Sequence, residues 1–284
     1  MQERIDPKAR TARYWFESLA ELERYLEIAP RTWKHLHSSN KPSPSNTWDL
    51  GASYSDAARL ARDGWLEGAR DAQDTLKTMP PQTPAPAMRN DFYGHMPHVA
   101  RYCAGAPDNM IRHANPPRHG TGATLTIAVA ITANWRTNAR YMRNFGLGIA
   151  RYVNQLEMDG TRCEIIGVIS THKTGDYTHW NTAHAWRIKY ADQPLDLAVL
   201  AFAIGHPAMF RRLGFALLER CAAPPASNYG VSRDTRLSDV INIAPGAVVL
   251  NGMKDANTHA TTPEKALAYV SAQIEKAIEE RLGK

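Results

Sequence analysis

The chain has 284 residues, of which 43% are hydrophobic and 22% charged; this balance excludes a globally disordered polymer and allows one large domain or two modest ones. The longest apolar run, residues 123–131, is far shorter than the ~20 residues a bilayer span needs, and the polar opening residues 1–10 predict no secretory segment. Three cysteines (Cys103, Cys163, Cys221) are too few and too scattered for a disulfide framework or a zinc knuckle. The net charge of +6 is spread over both halves, so it predicts weak anion attraction without a basic tail.

Residues 13–16, Arg-Tyr-Trp-Phe, form an aromatic cluster expected to anchor an arm. Residues 17–28 predict a helix, with Leu19, Leu22, Tyr25 and Leu26 on one face and Pro30 beyond its end. The serine- and proline-rich residues 37–46 read as a loop. A second helix is expected to start at Ser53 or Ser55 and to be closed by Gly64, and a third to cover residues 66–79. Residues 80–87 (PPQTPAPA) favour extended polyproline geometry and read as a linker. Residues 89–120 carry no regular period and predict an irregular arm.

The pattern sharpens beyond Gly122. Residues 123–131 read as a buried central strand. Residues 137–158 read as a long helix with Ala139, Met142, Phe145, Ile149, Val153 and Leu156 inward. Gly146 and Gly148 cost this helix propensity, which makes sense where it lies very close to a sheet. Residues 162–170 supply the next buried strand, giving a βαβ unit. Residues 185–190 alternate as a half-exposed edge strand returning antiparallel. Further helices are expected at 195–204, 208–220 and 264–282, the last capped by Thr261 or Thr262. Strands are expected at 239–243 and, more weakly, 247–250. Together these elements predict an α/β fold with three layers and a mainly parallel sheet, Rossmann-like in outline. The divisions are a helical, extended N-terminal region (1–79), a Pro-rich linker and arm (80–121) and the α/β domain (122–284).

In its order of elements, the segment from Gly122 resembles a von Willebrand factor A-like domain. The whole chain resembles a family of phage and mobile-element proteins through Trp15-Phe16-Glu17-Ser18, through residues 57–65 (AARLARDGW) and through residues 201–209 (AFAIGHPAM). The first resemblance implies a divalent ion held by Asp-x-Ser-x-Ser directly after the first strand. Here that stretch is Ile131-Thr132-Ala133-Asn134-Trp135. A hard cation needs anionic oxygen ligands, so no metal and no cofactor are expected.

Three constellations remain as candidates. Arg136, Arg140 and Arg143 form a helical stripe that, with Asn134, lies at a strand's carboxyl end, where open α/β sheets bind ligands; it suits phosphate or serves only solubility. Arg211 and Arg212 are a weaker basic pair. His172, Asp176, His179 and His184 suit metal or proton chemistry, or form a solvated hairpin loop; their spacing matches no zinc template. Trp15, Phe16, Trp33, Trp48 and Trp65 suit an interface or the core of a small helical layer. His206-Pro207 reads as a capping turn. The chain has no GxxxxGK[ST], GxGxxG or GxSxG. The expected function is therefore non-enzymatic: protein binding or self-assembly in a phage or mobile element, in the host cytoplasm or the virion. The alternatives are a nucleic-acid-binding protein using the arginine stripe and a metal-dependent hydrolase.

Overall fold

A computed structural model describes residues 1–28, 46–77, 87–92, 96–114, 124–134, 136–171, 180–220 and 234–282. The strands are β1 (Gln2–Asp6), β2 (Thr11–Phe16), β3 (Ala87–Asp91), β4 (Met96–Pro97), β5 (Met110–Ala114), β6 (Thr124–Ala130), β7 (Arg162–Thr171), β8 (Asn181–Lys189) and β9 (Val248–Leu250). The α-helices are α1 (Leu19–Ile28), α2 (Asn46–Asp49), α3 (Tyr54–Asp63), α4 (Leu66–Lys77), α5 (Val99–Cys103), α6 (Ala139–Met158), α7 (Leu197–Leu200), α8 (Phe215–Arg220), α9 (Ala256–His259) and α10 (Pro263–Leu282). The π-helical turns Ala201–Gly205 and Met209–Gly214 join α7 to α8. Among the described residues, no helix is long and apolar enough to cross a membrane.

Six strands form one mixed sheet in the order β1-β2-β8-β7-β6-β9. The pairs β2/β8, β6/β7 and β6/β9 are parallel; β1/β2 and β7/β8 are antiparallel. The fold is thus α/β with a mostly parallel sheet, as expected, but its N-terminal end differs from the expectation. Residues 11–16 are not an arm leading a helical region. They are a sheet strand, with Tyr14 paired to His184 and Phe16 to Trp186. That pairing joins segments far apart in sequence, so no local periodicity announces it. It also makes β8 an interior strand instead of the expected edge. Residues 239–243 form no strand; a short 3-10 turn, Leu237–Asp239, lies at this point.

Strand alternation divides the core in two. Tyr14, Phe16, Ile127, Val129, Ile165, Ile169 and Trp186 share one cluster with the buried faces of α1, α3, α6, α8 and α10. Trp15, Ala128, Ile166, Val168 and Ala185 point to the other face and pack with Val240, Ile241, Ile243 and Val249. Among the described residues the helices therefore lie on one face of the sheet, and two layers replace the expected three. The second face is crossed by a strap, residues 234–247. Its tethers are the Ser170–Thr235 hydroxyl contact (2.7 Å) and the hydrogen bond from Asn242 Nδ2 to Gln2 Oε1 (2.7 Å).

Local chemistry sets the helix ends. Ser53 and Asp56 form a reciprocal capping box on α3, and Gly64, at φ +75°, closes it by donating to Leu60 O (3.0 Å). Asn138 Oδ1 accepts from Arg140 N–H (2.8 Å) at the start of α6. The glycines of α6 answer to neighbouring helices, not to the sheet. A Cβ on Gly146 would lie 2.3 Å from Gly205 Cα, and one on Gly148 would lie 2.9 Å from the Ala266 carbonyl carbon. Backbone touches backbone at the first of these contacts, so no side chain can swing away to make room.

Gly146→Ala tests this contact. Overpacking costs roughly 1–3 kcal/mol, more than the ~1 kcal/mol alanine gains in helix propensity. Urea denaturation should show net destabilisation; a stabilised variant would contradict the close approach.

Candidate functional site

Because β6, β7 and β9 run parallel, their carboxyl ends open on one edge of the sheet. Polar side chains converge there. The loop after β6 is held by Asn134 Oδ1, which accepts from Arg136 N–H (3.2 Å), and by Asn257, whose Oδ1 accepts from Asn138 N–H (3.0 Å) while its Nδ2 donates to Arg136 O (3.1 Å). Beside them Asn251 makes a two-way contact with the Thr235 backbone, accepting at 2.7 Å and donating at 3.0 Å. Lys254 pairs with Asp234 (2.7 Å), and that hydrogen bond holds its ammonium above the ordinary value. Asp255 is a further, exposed acid on this rim.

Two arginines lie beneath this loop. Arg211 is 1% exposed. One Nη donates to Trp48 O; the other donates to Thr137 O (2.6 Å) and Asn134 O (3.4 Å). The guanidinium lies 4.0 Å over the Trp48 ring, and its Nε has no hydrogen-bond partner among the described residues. Burial pulls the group down to about 10, with Asp49 opposing the shift, so it is still a cation at neutral pH. Asp49 itself is engaged by Arg212, whose Nη2 lies 2.5 Å from Asp49 Oδ2 and whose Nε donates to Ala52 O (3.1 Å). Arg211 thus brings a buried positive charge under the β6 loop without an ion pair of its own among the described residues.

The arginine stripe divides. Arg143 is turned inward, paired with Asp71 and 5.5 Å from the Trp65 ring. Arg136 and Arg140 are exposed at the loop and the first turn of α6, and Arg140 makes no ion pair among the described residues. The sequence reading underweighted Arg211 and missed Asn251, Lys254 and Asn257. Those three sit on short elements after β9, brought to β6 only by tertiary pairing. The isolated HP turn behaves locally: His206 Nδ1 accepts from Ala208 N–H (3.1 Å).

The histidine cluster is not assembled by the described residues. His172, Asp176 and His179 lie outside them, as does Trp33. His184 is in mid-strand, fully buried, stacked on Tyr14 at 4.6 Å, with neither ring nitrogen hydrogen-bonded among the described residues. Burial pushes it down to about 3, so it is a neutral core residue and not part of a solvated loop. Trp15 and Phe16 are 0% exposed, inside the chain's own core, so the interface expectation is corrected for these two. Trp65 is also buried, and Trp48 is half-buried under Arg211. Among the described residues no three His, Cys, Asp or Glu side chains meet as a metal site. Cys163 is buried, and desolvation pushes its thiol up to about 12, which makes it a poor nucleophile.

Comparison with known proteins places the chain. It belongs to the family described as a domain of unknown function, DUF7192, whose sequence model matches residues 3–276. Neither the curated proteins nor the solved structures yield a match.

His184 makes the fold acid-sensitive. From the ordinary value of 6.5 down to about 3, the unfolded chain takes up a proton that the folded chain refuses. The contribution is whole above that window and falls with pH by up to ~1.4 kcal/mol per pH unit within it. The urea midpoint of the wild type should therefore drop more between pH 7 and pH 5 than that of His184→Phe. Parallel profiles would show that His184 is not held neutral.

Proposed function

We propose that the protein binds rather than catalyses, and that its ligand is the phosphate backbone of a nucleic acid, held at the carboxyl ends of β6 and β9. The observation that carries this reading is the pair of exposed arginines, Arg136 and Arg140, above the buried cation of Arg211. A low-dielectric interior lets a buried charge act at longer range than a solvated one. The mildly basic chain, at net +6, adds a weak attraction of the same sign. Asn134, Asn251 and Asn257 at this edge are occupied in holding loops, which suits a rigid recognition surface better than proton transfer.

A second reading, protein binding or self-assembly as a component of a phage or mobile element, draws support from the exposed side chains of Met96 on β4 and Val99 at the start of α5. Its setting, host cytoplasm or virion, rests on the sequence resemblances alone, including the von Willebrand factor A-like order of elements with its acid-poor first loop. The burial of Trp15 and Phe16 removes the aromatic arm that first favoured it.

A filter-binding series across salt tests the main reading. Affinity for an oligonucleotide should fall steeply with ionic strength, and Arg136→Gln with Arg140→Gln should make the log–log slope shallower by roughly 1.5 to 2. Absence of salt-sensitive binding at low ionic strength would eliminate it.

A further inference from the structure

The six-stranded sheet has two edges, and they differ. β9 is three residues long, with Val248 and Leu250 buried. β1 is five residues long and exposed throughout, and among the described residues no strand pairs with its outer side. The strap reaches β1 at Gln2, the first residue of the strand. An open edge presents backbone N–H and C=O groups without partners, a template for another strand.

The charges of this edge are incomplete as they stand. Arg4 is directly opposed to Arg13 of β2. Neither arginine makes an ion pair among the described residues. Like charges at opposed positions of an antiparallel pair destabilise it, so this row lacks an acid. Asp6 lies two residues beyond Arg4, on the same face of the strand. One oxygen of its carboxylate accepts from Lys8 N–H and Ala9 N–H, both at 3.0 Å, which fixes the side chain at the hairpin turn. Asp6 makes no ion pair with Arg4 of its own strand. Between the two, on the opposite face, Ile5 is 38% exposed.

We infer that β1 is a contact between two copies of this chain, each adding its edge strand to the other's sheet about a two-fold axis. A self-complementary antiparallel pair of so short a strand has few registers. With Ile5 opposite its own copy, Arg4 of each chain faces Asp6 of the other. Each carboxylate then supplies the acid missing from the Arg13–Arg4 row, and the two Ile5 side chains meet on the opposite face. The neighbouring registers place Glu3, Arg4 or Asp6 opposite itself, like charge against like. Charged residues usually keep an edge strand from pairing; here the order Arg-Ile-Asp rejects the neighbouring registers and admits this one. The inference rests on the self-assembly reading above and not on the nucleic-acid one, since β1 and β9 are opposite ends of the strand order.

Sedimentation velocity of the full-length protein over a concentration series tests it. The wild type should show a reversible monomer–dimer equilibrium. Arg4→Asp opposes acid to acid on both sides of the axis and should weaken the dimer by roughly tenfold or more. Asp6→Lys opposes cation to cation and should do the same. An equimolar mixture of the two variants restores an opposite-charge pair on each side of the axis and should dimerise again. Ile5→Lys, which leaves Asp6 and its turn intact, should also weaken the dimer. An unchanged circular dichroism spectrum is the check on folding for each variant. A wild type that is monomeric at every concentration would overturn the inference and the self-assembly reading with it. An oligomer unmoved by Arg4→Asp and Ile5→Lys would put self-assembly on another surface and overturn the inference alone. Folded variants that mixing fails to restore would mean that these charges do not face each other across an interface, and the inference would fail.

Discussion

The arrangement depends on one side chain, Arg211. Its planar fork reaches the carbonyls of Trp48, Asn134 and Thr137 at once. It therefore ties the N-terminal helical segment, through α2, to the loop that follows the central strand. Buried carbonyls left unpaired cost free energy, and here a cation is the donor that satisfies them. Desolvating a guanidinium is expensive, and Asp49, the nearby acid, is already bonded to Arg212. A methionine would fill the same space without that charge, but would abandon the carbonyls. The charge that stays behind lies directly under the β6 loop, against the carbonyls of Asn134 and Thr137.

Everything around this clamp is organised by strand alternation. One face of the sheet is buried under helices that approach one another closely enough for Gly146 to meet Gly205 backbone to backbone. The other carries small and flat residues, Ala128 and Ala185 beside Trp15, under a strap with almost no regular structure. With both faces occupied, the surface left for a ligand is the edge where the parallel strands end. The clamp and the exposed arginines coincide there. Among the described residues, β3, β5 and β4 pair as a separate three-stranded sheet outside this core.

Much of the fold was legible in the residues because its signals are local. The apolar run of β6, the 3.6-residue period of α6 and the Ser53/Gly64 punctuation of α3 each identify an element without tertiary information. What escaped the sequence reading is non-local. The strand β2 is recognisable only through β8, more than 160 positions away, since an aromatic run anchors an arm or fills a strand equally well. The β-ribbon within 87–114 is built from short strands interrupted by Gly, Pro and His, below the length at which alternation stands out. The site was half legible. Asn134, Arg136 and Arg140 follow from their place after a buried strand. Arg143 looked equivalent by helical spacing, and only the position of Asp71 on α4 separates it. Arg211 sits in a run otherwise typical of core helix, and nothing in that run marks it as the donor for three distant carbonyls.

The most direct test of the clamp is hydrogen–deuterium exchange of Arg211→Met, followed by mass spectrometry. Amides of residues 46–52 and 131–138 should lose protection together, while those of β6 and β7 keep theirs. Unchanged exchange in both loops would mean that the two segments are held by something other than this guanidinium, and the account of the site would fall with it.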